Sequence, residues 1–315
     1  VGGGVGNIVS GVFTEVFTWR AVLLINVPIG LAVVVCALRV LAGREDRDTG
    51  SRLDVVGAVL ATVGLCAITY GVSEFGAGTG WAAGGAIGLG VAALAVLVAQ
   101  QRRSRSPIVP VALLRNRVVA AGNVLTLLTG ACFQVPIWIF LTYLMQRSMG
   151  YSPVQAGLGF IPLTLVTMVV GVAVTPRLMT RFAARHLIIG GAVFAGAGFV
   201  WQAWASHDSF LTAIAGPAIV IGIGGGLMNT PLATAVTSGI DTADAGAASG
   251  LMNTSKQFGG ALGLAALGLI TSSYTDYRPA FVAMAACMGV VAAGAAVAMT
   301  PTRPRADADQ ATADR

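Results

Sequence analysis

The chain has 315 residues, of which 10% are charged and 56% hydrophobic, with a net charge of +6 and a mean hydropathy of +0.80. A soluble domain carries roughly 25% charged residues, so the groups needed to cover a water-facing surface are missing. That excludes a soluble enzyme, a nucleic-acid-binding protein and a disordered chain, and leaves an integral membrane protein of many helices.

Crossing the hydrocarbon layer takes about 20 apolar residues in a helix. Runs of that order lie at 1–14, which is incomplete, and at 21–41, 53–73, 80–99, 118–145, 153–176, 186–205, 211–236, 247–272 and 279–299. The expectation is an all-α bundle of about ten transmembrane helices. Pro136 inside the long fifth run predicts a tilt or kink. The runs are too long for barrel strands and lack their alternation. The chain opens on Val1, inside what reads as a helix, with no basic leader segment or cleavage site. This suggests a sequence that continues upstream. The polar stretches 43–52 (GREDRDTGSR) and 100–107 (QQRRSRSP) read as linkers, and 301–315 as a solvated, disordered tail.

Arginine placement orients the bundle. With residue 1 on the cytoplasmic side, the inner segments carry 15 of the 19 basic residues and the outer loops carry only Arg20, Arg147 and Arg278. Such a split in short loops is the positive-inside pattern. It places the C-terminus in the cytoplasm and reads the positive charge as a topology signal rather than a nucleic-acid footprint. The inner loop 237–246 departs from it, with Asp241, Asp244 and no base.

Chemistry inside the spans is sparse. Cys36, Cys66, Cys132 and Cys287 lie in separate apolar runs without a CxxC pair, and read as small buried hydrophobes rather than a metal or redox site. His186 and His207 flank one run and read as interfacial or loop residues. No carboxylate lies deep in any run: Glu74 sits at a helix end and Glu15 in an outer loop. The intramembrane polar set is Asn7, Asn26, Asn123, Gln134, Asn229, Asn253, Lys256 and Gln257. A buried amide needs a partner, so each predicts an interhelical hydrogen bond or a cavity-facing position. Lys256 reads either as a lysine snorkelling to the inner interface or as a fixed charge facing a cavity. The 42 glycines cluster at 2–6, 222–226 and 259–263, where small residues such as Gly259 and Gly263 let helices approach closely. Pro28, Pro136, Pro162, Pro217 and Pro231 are candidate bends. The cluster GIGGG at 222–226 has no preceding strand, so it is not a dinucleotide turn. Phosphate-loop, HExxH and GxSxG motifs are absent from the sequence.

Several motifs in order resemble the major facilitator superfamily, in its fourteen-span drug:proton antiporter branch of the EmrB/QacA type. GNIVSGVFTEVFTWRAVLLINVPIG (6–30) is similar to that branch's fifth span and the loop after it, through Gly6, Gly11, Trp19, Arg20, Asn26, Pro28 and Gly30. Gly80-Trp81, Pro107 with LLRNR (113–117), GYSPVQAGLGFIP (150–162), PRLMTRFAARH (176–186) and SGLMNTSKQFGGALG (249–263) follow in family order, nearly to residue 299. The resemblance implies that the family's first four spans, with their membrane acid, are missing from this sequence. Two departures stand out: Gly6-Asn7 replaces Gly-Pro, and Ser10-Gly11 replaces Gly-Gly. Lys256 stands where relatives often have arginine, keeping the charge but losing the planar fork.

By the same resemblance, residues 1–41 are the last two spans of an N-terminal bundle, 42–117 hold two extra linker spans, 118–299 form a C-terminal six-helix bundle, and 300–315 are a cytoplasmic tail. Gln134, Asn229, Asn253, Lys256 and Gln257 are substrate-cavity candidates. Gly6, Gly11, Asn26, Pro28, Gly30, Pro162, Gly259 and Gly263 form the bending and packing motif. Arg177, Arg181 and Arg185 form a cytoplasmic gating loop. The implied function is a monomeric secondary transporter in the cell membrane that exports small amphipathic compounds by proton antiport and alternating access. It would use a proton gradient, with no cofactor, metal or nucleic acid. The alternatives are a passive channel or an inactive transporter fragment.

Overall fold

The computed structural model describes residues 2–41, 54–75, 80–103, 113, 115–206, 209–238, 240–241, 244–271 and 276–299. The linker 43–52, the second half of the second polar stretch (104–107), His207 and the tail lie outside the described residues.

Ten helices occupy the ten apolar runs: α1 Gly2–Val16, α2 Arg20–Val40, α3 Val55–Glu74, α4 Gly80–Gln101, α5 Arg117–Ser148, α6 Pro153–Met179, α7 Ala184–Trp204, α8 Leu211–Thr237, α9 Ala245–Ile270 and α10 Arg278–Ala298. Eight are long and apolar enough to cross a bilayer, against the ten expected. The other two fall short for different reasons. At 15 residues α1 is too short. The 26-residue α9 has the length, but Asn253, Lys256 and Gln257 lower its apolarity. Glu15 lies on the last turn of α1, not in a loop as expected.

The helices run alternately up and down, and contacts far apart in sequence agree with that alternation. Helices α5 to α10 pack on one continuous core that includes Phe199, Ile221, Phe281, Met284 and Met288, all nearly or fully buried. Helices α3 and α4 pair as a hairpin whose first helix also touches α9, while α1 packs on the start of α6. Helix α2 is exposed almost along its length.

Prolines break the hydrogen-bond ladder where expected. Helical geometry in α5 stops at Phe133 and resumes at Pro136, because proline has no N–H to donate and its ring clashes with the preceding turn. The Trp138 indole N–H donates to the freed Phe133 carbonyl at 3.2 Å. Pro162 restarts α6 after a turn at Phe160, and Pro231 sits inside α8. Before Pro28, the Asn26 amide donates to the Val22 and Leu23 carbonyls, both at 3.3 Å. Single π-turns add further irregularity at Leu144–Ser148, Val170–Val174 and Leu211–Ala215. Gly150, with φ of 70°, makes the tight turn into α6, a conformation that favours glycine.

The closest helix contact joins α5 and α9. A Cβ on Gly259 would collide with the Leu127 carbonyl, one on Gly263 with the Ala131 carbonyl, and one on Gly130 with the Lys256 carbonyl. Three glycines thus let two backbones touch. Asn123 ties the same pair: its Nδ2 donates to Val119 O at 2.9 Å and its Oδ1 accepts from Ser255 Oγ at 3.1 Å. This is the interhelical hydrogen bond expected for a buried amide. Gly11 contributes a similar contact elsewhere, where a Cβ would come within 2.7 Å of the Pro153 carbonyl. Gly6 and Gly30 have no such neighbour within 4 Å.

At the other end of the α3–α4 hairpin from Glu74, Asp54 caps α3. Its carboxylate accepts from Gly57 N and Gln100 Nε2, both at 2.8 Å, and from Gln101 Nε2 at 2.6 Å. The Gly57 backbone N–H and then the Gln100 amide, with a lesser contribution from Gln101, hold the Asp54 carboxyl below its ordinary range against the opposing effect of burial.

Two outcomes test these contacts. Gly263→Val forces α5 and α9 apart and is expected to cost about 1–3 kcal/mol or more of stability, read as a lower melting temperature in detergent. Because the folded-state pKa of Asp54 is depressed, its contribution is present above the unfolded carboxylate range and is lost as pH falls through the folded value. The protection of the Gly57 amide, after correction for its intrinsic base-catalysed exchange rate, should therefore fall on acidification in the parent protein, while Asp54→Asn should remove that change in protection.

Candidate functional site

The bent segments surround an open cavity of about 700 Å³ between α5, α6, α8 and α9. Gln134 lies at the break in α5, next to Phe133 and Trp138; Thr164, Thr167 and Gly171 come from α6, Asn229 and Thr230 from α8, and Lys256 from α9. A second cavity of about 340 Å³ adjoins it and shares Asn229, Thr230 and Lys256. Thr126 and Thr129 of α5 close its far side, their hydroxyls donating to Gly122 O at 2.7 Å and Leu125 O at 3.0 Å.

Local irregularity explains why polar groups face this space. Pro231 removes an N–H from the turn that carries Asn229 and Thr230. The π-turn at Val170–Val174 shifts the register of α6 beside Gly171. Close packing at Gly130 seats the Lys256 backbone against α5, while its side chain lines both cavities. Trp138 packs on Phe160 with ring centroids 4.9 Å apart, so the wall combines aromatic surface with amide and hydroxyl groups.

Of the five predicted cavity residues, the structure brings together Gln134, Asn229 and Lys256. It does not bring Asn253 or Gln257, which are exposed and outside both linings. The sequence reading missed the threonines. Their signal was present as i, i+3 pairs, Thr126 with Thr129 and Thr164 with Thr167. It also missed Thr175, whose hydroxyl donates to Gly226 O at 2.9 Å, and Gln202, which donates to Ala213 O at 2.7 Å; both link neighbouring helices.

At the end of α6 away from Ser152, Arg177 and Arg181 are exposed, with Arg177 donating to its own helix at Ala173 O, and Arg185 is half-buried. At the opposite end, Glu15 accepts from Ser152 Oγ at 3.0 Å and Val154 N at 3.2 Å, tying α1 to the α6 N-terminus. Helix ends on this face carry aromatic-stacked arginines: Arg147 lies 4.4 Å from the Tyr143 ring and Arg278 lies 5.7 Å from the Trp204 ring. Burial pushes the Tyr277 hydroxyl up from its ordinary pKa, against the opposing charge of Arg147. The cysteines need one correction. Cys36 and Cys66 are exposed, while only Cys132 is fully buried. The Cys132 thiol donates to Met284 O at 3.8 Å and the Cys287 thiol to Leu128 O at 3.4 Å, so both tie α5 to α10 although they lie 155 positions apart in sequence.

A multi-pass helical membrane protein with a polar cavity among bent helices is thus defined. Residues 1–264 match the Major Facilitator Superfamily, and the chain belongs to that family. It is 52% identical over 285 residues to the cephamycin export protein CmcT of Amycolatopsis lactamdurans, covering 89% of this chain and 58% of that protein. It is 34% identical to the puromycin resistance protein pur8 of Streptomyces alboniger, covering 87% of this chain and 55% of that protein. With the multidrug efflux pump LfrA of Mycolicibacterium smegmatis it shares 29% identity over 87% of this chain and 54% of that protein. The chain therefore spans little more than half the length of these curated relatives.

The Thr164 hydroxyl is buried at the cavity wall without a hydrogen-bond partner among the described residues. Because an unpaired buried hydroxyl costs free energy, Thr164→Val is expected to leave the melting temperature unchanged or raise it, by up to about 1 kcal/mol of stability. Thermal unfolding in detergent checks this.

Proposed function

We propose that this protein works as a secondary active transporter in the cell membrane, exporting small amphipathic compounds by alternating access. The observation that carries the reading is the cavity of about 700 Å³, lined by Phe133 and Trp138 together with amides, threonines and Lys256. A wall of that kind suits a ligand with an apolar body and a few polar groups. Names of relatives as export, resistance and efflux proteins support the same class of cargo. The bent helices around the cavity supply elements that can rearrange. The monomeric working unit rests on the family resemblance alone.

Within the family we place the chain in the fourteen-span drug:proton antiporter branch. On that reading α1 and α2 are the fifth and sixth spans, α3 and α4 are the extra pair, and α5 to α10 are the C-terminal bundle. The α3–α4 hairpin leaning on α9 supports this assignment. Its C-terminus is cytoplasmic, and Arg177, Arg181 and Arg185 belong to the inner gating loop, by the arginine distribution. Proton antiport rests on the motif resemblance. Among the described residues, every carboxylate lies at or beyond a helix end: Glu15, Asp54, Glu74, Asp241, Asp244 and Asp276.

The test uses everted vesicles containing the full chain and a fluorescent amphipathic dye. An acid-inside gradient should drive dye uptake, and a protonophore should abolish it. Uptake that persists after the gradient collapses would show a passive pore instead. A reporter fused after Arg181 should report the cytoplasm; one after Met149 should report the exterior.

A further inference from the structure

The transport reading leaves the charge of the cargo open, and Lys256 bears on it. Lys256 is the single charged side chain among the described residues that line either cavity. It sits where the two cavities meet, together with Asn229 and Thr230. The described carboxylates lie at or beyond helix ends, and none forms an ion pair with it. A half-buried cation at the junction of two open cavities, with no acidic residue in either described lining, favours a ligand that brings a counter-charge. Around it the lining offers neutral donors, the amides of Gln134 and Asn229 and the hydroxyl-bearing Thr167 and Thr230. Ammonium, amide and hydroxyl donors facing one space match an acid group. They do not match an organic cation, which would meet uncompensated repulsion at Lys256.

We propose that this cavity selects soluble amphipathic organic anions, seating the acid group against Lys256 and the apolar body against Phe133 and Trp138. The inference rests on the transport reading for its physiological meaning, but the binding site itself can be measured separately.

Fluorescein and rhodamine 123 share a xanthene core and differ in charge, so they serve as the probes. The full chain in vesicles should export fluorescein in preference to rhodamine 123, and the purified full chain should bind fluorescein by fluorescence anisotropy. Lys256→Gln should lower the fluorescein-to-rhodamine preference at least tenfold in both measurements, while Lys256→Arg should retain it. Preferred export or binding of rhodamine 123 by the parent protein would overturn the proposal, as would a Lys256→Gln preference equal to the parent's. Export of neither dye alongside Lys256-dependent fluorescein binding would sink the transport reading and leave the anion site standing. Repeating the binding in phosphatidylcholine nanodiscs with added phosphatidylglycerol separates the two sources of anion. Unchanged fluorescein binding supports a soluble acid; displacement assigns the site to a lipid headgroup and overturns it.

Discussion

The contact between α5 and α9 is the constraint on which the rest of the site depends. In hydrocarbon, helices gain little from hiding apolar surface from one another, so association relies on close packing and on hydrogen bonds between them. Gly130, Gly259 and Gly263 supply the first and the Asn123–Ser255 bond supplies the second. Because Gly130 lies directly against the Lys256 backbone, the same seam that binds the two helices also fixes the height and direction of the cavity's charge. Any side chain larger than hydrogen at these positions displaces Lys256 together with its helix.

Around that fixed seam the other walls are irregular. The break before Pro136, the turn at Phe160, the π-turn at Val170–Val174 and Pro231 all lie in the helices that line the cavity. Freed backbone carbonyls are tolerated at membrane depth only beside protein or a polar space, and here they border the cavity or are taken up by side chains such as Trp138. A rigid contact on one side and broken helices on the other give the bundle both a fixed reference and places to bend.

Much of this architecture was legible in the sequence. Every apolar run became a helix, and three contacts distant in sequence agree with the up-and-down order read from the arginines. Glu15 with Ser152, Asp54 with Gln101, and Arg278 with Ala203 each join segments assigned to one face of the membrane. Proline identity gave the bend in α5. Direction within a helix was harder to read. Asn253 and Gln257 are one turn apart and share a face, whereas Lys256 lies about 100° around the helix from Gln257 and on the stripe of Gly259 and Gly263. Polarity alone grouped the three; only the neighbour that each face packs against separates them. The threonines were overlooked for a related reason, since a hydroxyl that bonds its own helix carries little polar signal until a cavity opens beside it.

The two ends of the bundle differ in how they are held. At one end, the Glu15 carboxylate spans two helices, accepting from a hydroxyl and from a first-turn backbone N–H of α6. A negative group there is favoured by the orientation of the peptide dipoles, and Gly11 permits the approach one turn earlier along α1. At the other end, Arg177 donates to Ala173 O within its own helix. Separation of α1 from α6 must release a charged cap and a glycine contact at the Ser152 end. That restraint rests on two residues, Gly11 and Glu15, which lie one helical turn apart on the same face of α1.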